Sequence, residues 1–259
     1  PGDLETILLP LRASFPSVER VTSYARSQTV ARIPDEDLAR LHAAGVNRIH
    51  IGLESGCDVV LERVRKGADQ ATHIRAGQKV KRAGIELSEY SLPGLGGREL
   101  SRAAALDSAK ALSCIDPDFI RLRTLALPDG LELADEAARG RFAPLGDREV
   151  AEELLLFLEA LTGITSRVVS DHILNLFEEI EGRLPEDRER MTGVIRRFLA
   201  LDPAEQLLYR VGRRTGVFQG LDDLQDPVRR RHARHWVERF AVTPENVDQV
   251  TGALMQRFI

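Results

Sequence analysis

Apolar and polar residues alternate strictly through Asn47-Arg48-Ile49-His50-Ile51-Gly52-Leu53-Glu54-Ser55-Gly56. Ile49, Ile51 and Leu53 fall on one side; Arg48, His50, Gly52 and Glu54 fall on the other. Such a period predicts a strand with one apolar and one polar face. The stretch closes on an acid and a Ser-Gly pair, and a helical pattern follows. In parallel α/β folds ligands bind beyond the carboxyl ends of the strands, so the pattern puts Glu54 where a ligand would sit.

The segments on either side repeat the theme. Residues 4–14 carry Leu4, Ile7, Leu8 and Leu11 at helical spacing, and Phe15-Pro16 stops them. Val18 to Ala25 predicts a strand. Pro34-Asp35-Glu36-Asp37 opens a helix, because proline and acids suit a first turn where the dipole is positive. Leu38, Leu41 and Ala44 give that helix its buried side, and Gly45 closes it. Beyond the Glu54 strand, residues 58–64 and 71–82 read as helices. Ile85 to Leu92 is a strand running into Pro93-Gly94-Leu95-Gly96-Gly97, and 99–113 is a helix. Phe119 to Leu125 is a further strand, with a turn at Pro128-Asp129-Gly130.

Strands thus begin near residues 19, 47, 85 and 119, a rhythm of roughly 30–40 residues that marks βα units in a parallel sheet. Strands covered on both faces read as continuous apolar runs; these do not. Thr22 and Tyr24, His50 and Glu54, Ser88 and Tyr90, and Arg121 and Arg123 hold alternate positions. Either one sheet face meets water, or the strands form a barrel or part-barrel whose interior holds a polar ligand. The second is preferred, because helix-linked parallel sheets seldom leave a face bare.

From about Gly146 the pattern turns helical, with segments at 147–161, 172–181, 185–200, 204–214, 227–240 and 244–258 and no convincing strand. Pro185, Pro203, Pro227 and Pro244 stand at or near helix starts. The expected organisation is residues 1–146 as an α/β unit and 147–259 as a helical extension.

Composition narrows the function classes. The 259 residues are 43% hydrophobic and 29% charged, with a net charge of -4, so a real core is expected and general polyanion binding is not. No apolar run approaches the roughly 18–20 residues that span a bilayer, and no charged-then-apolar leader opens the chain; a cytoplasmic protein without membrane partners is expected. The first residues, Pro1-Gly2-Asp3, lack a methionine, which points to a processed form or a gene fragment. Cys57 and Cys114 form neither a metal-binding spacing nor a disulfide framework.

Five pieces in order carry a family resemblance: Arg48 to Asp58, then Val60-Leu61 with Lys66-Gly67, then Ala83-Gly84-Ile85-Glu86-Leu87-Ser88, then Leu92 to Gly97, then Pro117 to Arg123. Together they resemble the second half of a radical S-adenosylmethionine enzyme. The branch is the one related to oxygen-independent coproporphyrinogen oxidases and Elongator-type catalytic subunits. The resemblance covers about residues 1–165, and Ser170-Asp171-His172 with Asn175-Leu176 is similar to that branch's C-terminal extension. It implies an α/β fold: the C-terminal four strands of a partial (β/α)6 TIM-like barrel, followed by an all-helical C-terminal extension. It also implies S-adenosylmethionine as cofactor, and a 4Fe–4S cluster held by a C-x3-C-x2-C loop near the amino end. That loop is absent from this sequence. The expectation is that its ligands lie upstream, that the intact protein forms a 5'-deoxyadenosyl radical, and that the chain as given does not. Alternatives from other classes are a degenerate barrel acting as a scaffold, and a cluster-free barrel enzyme that holds a phosphorylated substrate at Gly94–Gly97.

The resemblance places Glu54 on the cofactor's ribose, where a carboxylate accepts from both hydroxyls; the plainer role is a strand-end acid capping the next helix. It places Lys66 on the cofactor's carboxylate; the plainer role is a solvated lysine before Gly67. Ser88 and Tyr90 share the inward face of their strand and would meet cofactor or substrate, or simply pack. Arg121 and Arg123 would be costly inside a part-barrel unless paired; they bind an anion, Arg121 foremost, or Glu54 and Glu86 neutralise them. His50 reads first as an interior histidine. Ser170 or Asp171 caps a helix from His172, with Asp171, His172 and Asn175 as candidates for the barrel mouth. The basic run Arg229 to Trp236 follows Asp222, Asp223 and Asp226, so a solvated helix face precedes RNA contact as its reading. No stretch selects a substrate.

Overall fold

The structure is a computed structural model that describes residues 2–128 and 130–258. Pro1, and Asp129 of the turn expected at Pro128-Asp129-Gly130, lie outside the described residues. In chain order the elements are α1 (Gly2–Ser14), β1 (Thr22–Ala25), α2 (Ser27–Arg32), α3 (Asp35–Ala43), β2 (Arg48–Glu54), α4 (Asp58–Arg63), α5 (Gln70–Arg82), β3 (Glu86–Ser91), α6 (Gly97–Ile115) and β4 (Phe119–Leu122). There follow α7 (Glu132–Ala138), α8 (Asp147–Ala160), β5 (Arg167–Val169), β6 (Gly182–Arg183), α9 (Arg188–Leu199), α10 (Pro203–Arg214), α11 (Pro227–Arg239) and α12 (Val247–Met255).

Local chemistry sets many of these boundaries. Pro34 precedes α3, whose first turn holds three acids. The Asp69 carboxylate accepts from Thr72 N at 2.8 Å and starts α5. Asp202 and Asp226 accept from the first free amides of α10 and α11, and proline follows each of them where no amide donor is needed.

The strands form one sheet in the order β1-β2-β3-β4-β5-β6. Each of the first four pairings is parallel, and β6 closes the edge antiparallel to β5. A doubly wound sheet reverses direction at a switch point. This one steps the same way at every strand, which is the winding of a barrel segment.

The helices cover one face of it. Ile49, Ile51 and Leu87 pack with Val30, Leu38, Leu41, Ala76, Val80 and Ile115. Leu53, Ile120, Leu122 and Val168 pack with residues of α6, α8, α9 and α10. Ile51 and Leu53 are wholly buried, and each contributes roughly 1.5–3 kcal/mol by leaving water. The opposite face carries the polar half of the alternation.

Two expectations for the C-terminal part need correction. The sheet does not stop before residue 146: β5 adds a fifth parallel strand at 167–169, too short to leave an alternation in the sequence. No helix forms over 172–181. An α-helix needs each carbonyl for the amide four residues on, and here those carbonyls are taken. Arg214 bonds Leu174 O, Arg213 Nη2 bonds Asn175 O at 2.9 Å, Tyr209 Oη bonds Leu176 O at 3.0 Å and Ser170 Oγ bonds Phe177 O at 2.5 Å. Ser170 and Asp171 therefore cap nothing. Among the described residues no helix is long and apolar enough to cross a membrane.

Candidate functional site: a polar sheet face and the end of strand β2

Strand β2 ends in a kink. Glu54 holds a left-handed backbone, φ +62°, a conformation that costs a non-glycine residue roughly 1–3 kcal/mol. Ser55 N closes the turn on Leu53 O at 2.8 Å, Glu54 O accepts from Leu92 N at 2.9 Å, and Gly56 N is held by Ser108 Oγ at 2.8 Å. The pairing register with β3 slips between Gly52 and Glu54. This folds the Glu54 side chain back across Gly52: a methyl group there would lie 2.2 Å from Glu54 Oε1 and 3.0 Å from Lys66 Nζ.

Lys66 reaches the same spot from the turn after α4, built on left-handed Arg65 and Gly67. Gln28 Nε2 fixes that turn by donating to Lys66 O at 2.9 Å. Lys66 Nζ then sits 3.1 Å from Glu54 Oε1, with both side chains about a quarter exposed. Glu54 and Lys66, assigned separately by the resemblance, thus form one ion pair over a glycine at the carboxyl end of β2.

The rest of the polar face lies alongside. Ser88 is buried and accepts from Arg121 Nε at 3.3 Å. Tyr90 Oη lies 3.3 Å from Tyr24 Oη, and burial followed by that contact raises the Tyr90 pKa. Arg123 lies 4.7 Å over the Tyr90 ring. Arg48 pairs with Glu86 at 2.8 Å and lies 4.5 Å over Phe119. His50 packs against both Tyr24 and Tyr90, at 4.8 and 5.6 Å, while those two rings also contact each other at 6.4 Å. Burial, then the charges of Arg121, Arg48 and Arg123, lower its pKa, so the imidazole is neutral at pH 7.

The expected neutralisers of Arg121 and Arg123 were Glu54 and Glu86. Asp171 takes that part instead, with Oδ2 at 2.5 Å from Arg121 and Oδ1 at 2.8 Å from Arg123. Burial opposes ionisation of Asp171, but the Arg123 hydrogen bond and the two guanidinium charges hold its pKa below the usual range. Asn175 ties the same segment to β4 through Leu122 O at 3.1 Å. The Pro93–Gly97 turn is not a free cradle: Gly94 N already donates to the buried Glu153 at 2.9 Å, and a side chain at Gly97 would strike Phe142.

Sequence reasoning missed Glu89. It shares the helix-facing side of β3 with Leu87 and Ser91, is fully buried, and neither carboxyl oxygen has a partner. Burial, aided by the nearby Glu54 charge, pushes its pKa well above the carboxylate range. An acid on the apolar parity of a strand was the available sign.

The residues present do not fit a 4Fe–4S cluster. Cys57 is buried, Cys114 is exposed, and no group of three or more His, Cys, Asp or Glu among the described residues could hold a metal; thiolate ligation of such a cluster needs more. They do fit part of S-adenosylmethionine. The space that only a glycine leaves at residue 52 is edged by a carboxylate acceptor and an ammonium donor, matching a ribose diol and an amino-acid carboxylate.

Residues 4–107 match the family model described as the radical SAM superfamily. The tRNA uridine(34) acetyltransferase of Methanocaldococcus infernus is 22% identical over 120 residues, covering 46% of this chain and 22% of that protein. The Methanocaldococcus jannaschii protein of the same name is 21% identical over 123 residues, with the same coverage. The chain therefore spans about a fifth of the length of these curated relatives. Among solved structures, archaeal Methanocaldococcus infernus Elp3 with an N-terminal deletion is 21% identical, covering 59% of this chain and 36% of that one, with a TM-score of 0.48. Methylornithine synthase (PylB) is 15% identical, covering 67% and 47%, with a TM-score of 0.46. The radical SAM superfamily model thus matches the segment that carries β1, β2, β3 and the Glu54–Lys66 pair.

Proposed function

We propose that this chain supplies the cofactor grip of a radical S-adenosylmethionine enzyme whose cluster ligands lie outside this sequence. The Glu54–Lys66 pair over Gly52 carries the reading, because it sets both charges at the carboxyl end of a parallel strand. Glu54 accepts hydrogen bonds from the ribose hydroxyls. Lys66 turns from Glu54 to the cofactor's carboxylate. Ser88, Tyr90 and Arg121 line the neighbouring face, where they orient cofactor or substrate and exclude water. When bound beside a 4Fe–4S cluster, S-adenosylmethionine supplies a 5'-deoxyadenosyl radical, and that chemistry belongs to the cofactor. The partners of this reading are S-adenosylmethionine and a substrate admitted by the polar face.

Calorimetric titration of the chain with S-adenosylmethionine tests the grip without requiring turnover. Glu54→Gln and Lys66→Met are each expected to weaken binding at least about tenfold, the loss of a charge-assisted hydrogen bond. Unchanged affinity in both variants sinks the assignment. Anaerobic purification of the natural open reading frame, with iron and sulfide analysis, tests the cluster separately.

A further inference from the structure

On the polar face the side chains form a cluster: Tyr24, His50 and Tyr90 are mutually in contact, with ring centroids 4.8, 5.6 and 6.4 Å apart, and Arg123 lies over Tyr90 at 4.7 Å. Tyr24 and Tyr90 lie within 5° of parallel. His50 is buried and Tyr90 half-buried, but Tyr24 is 74% exposed. Parallel sheets seldom leave such a face bare. A largely exposed flat ring at the edge of an ordered aromatic cluster offers its free side to another flat ring.

The charge around the cluster is unbalanced. Glu86 serves Arg48, whereas the single Asp171 serves both Arg121 and Arg123. One carboxylate against two guanidiniums leaves a positive surplus, and Asp171 is 45% exposed, so an incoming anion can replace it. Between these features His50 is 92% buried, and its Nδ1 lacks any partner. It is a polar atom held at the centre of the face with nothing to bond.

We infer that the substrate of this face is a planar aromatic molecule carrying an anionic group, its ring stacked on Tyr24 and its anion taken by Arg121 and Arg123 in exchange for Asp171. This rests on the proposed function only in assigning the substrate to the same sheet face as the cofactor.

The test uses three probes of graded chemistry, titrated calorimetrically into the chain: 2-naphthoate, cyclohexanecarboxylate and 2-naphthylmethanol. Naphthoate is expected to bind best, by about fivefold over either partner that lacks its ring or its charge. Tyr24→Leu abolishes the advantage over cyclohexanecarboxylate and Tyr24→Phe keeps it, while Asp171→Asn tightens both acids. Tyr24 is exposed, so its variants fold, and circular dichroism checks that they do. Equal binding of the two acids overturns the inference. So does an unchanged naphthoate affinity in Tyr24→Leu, or a self-association that Tyr24→Leu abolishes, which would make a second copy the occupant. Glu54→Gln leaves naphthoate binding intact and Tyr24→Leu leaves S-adenosylmethionine binding intact, so failure of one assignment is distinguishable from failure of the other.

Discussion

Glu89→Gln is the most informative single change. The carboxyl lies between Ile51 and Ile120 in the sheet register, with no solvent exposure and no hydrogen-bond partner for either oxygen. An unpaired buried carboxylate is prohibitively costly, so the group keeps its proton. Burial, then the Glu54 charge, raises its folded pKa well above the ordinary value of 4.5. A raised folded pKa means that the native chain binds more protons than the unfolded one. Its contribution to stability is therefore whole below about pH 4.5 and is lost as pH rises towards the folded pKa, at about 1.4 kcal/mol per pH unit. Glutamine has the same shape and no titration. Relative to the parent, Glu89→Gln should gain about 1.4 kcal/mol for each unit between pH 5 and pH 7 over which the parent keeps its proton. Urea denaturation of both proteins at pH 5, 6 and 7 measures this, and subtraction removes the titration of every other group. Stability curves that run parallel across that range would refute the reasoning. The protonation also matters at the site, since an ionised Glu89 would set a second anion against Lys66.

Gly52→Ala puts a methyl 2.2 Å from Glu54 Oε1; because the struck atom ends a movable side chain, stability should change by less than about 1 kcal/mol while S-adenosylmethionine affinity falls about tenfold, read by calorimetry. Asp147→Asn strips the charge from a buried carboxylate bonded to Arg210 at 3.2 Å and to Arg214, and should cost about 3–5 kcal/mol, or roughly 6–20 °C in melting temperature for a chain of this size; a loss under about 1 kcal/mol would show that the two arginines find other partners. Burial opposes ionisation of Asp147, yet Arg214 and Arg210 lower its pKa; its stabilisation is therefore present above the usual carboxylate range and disappears as acid titrates the folded group, which acid melts of parent and variant would reveal as curves that converge.

The sequence makes the sheet legible up to β4 because each strand is long enough to show its period and each is set off by a proline, glycine or acidic cap. Ile49, Ile51 and Leu53 declare the helix-facing side, and Arg48, His50 and Gly52 the other. β5 has three residues, Arg167-Val168-Val169, and a period of two cannot be seen in three positions. Residues 172–181 looked helical because Ile173, Leu176, Phe177 and Ile180 have helical spacing. Their backbone partners come from α10, some thirty to forty positions away, and local spacing carries no trace of them. The same distance hid Asp171: nothing local ties it to Arg121 and Arg123, about fifty residues earlier. Glu54 and Lys66 were each legible alone, but that they meet over Gly52 depends on a left-handed backbone at Glu54, which no residue type other than glycine announces.

The carbonyls of Leu174, Asn175 and Leu176 hang from the side chains of Tyr209, Arg213 and Arg214, so α10 works as a rack for a segment with no ladder of its own. Remove or tilt that rack and the segment loses its shape, and Asp171 goes slack with it. Arg121 and Arg123 would then face the sheet uncovered. The far helices thereby hold a say in how strongly the polar face attracts an anion.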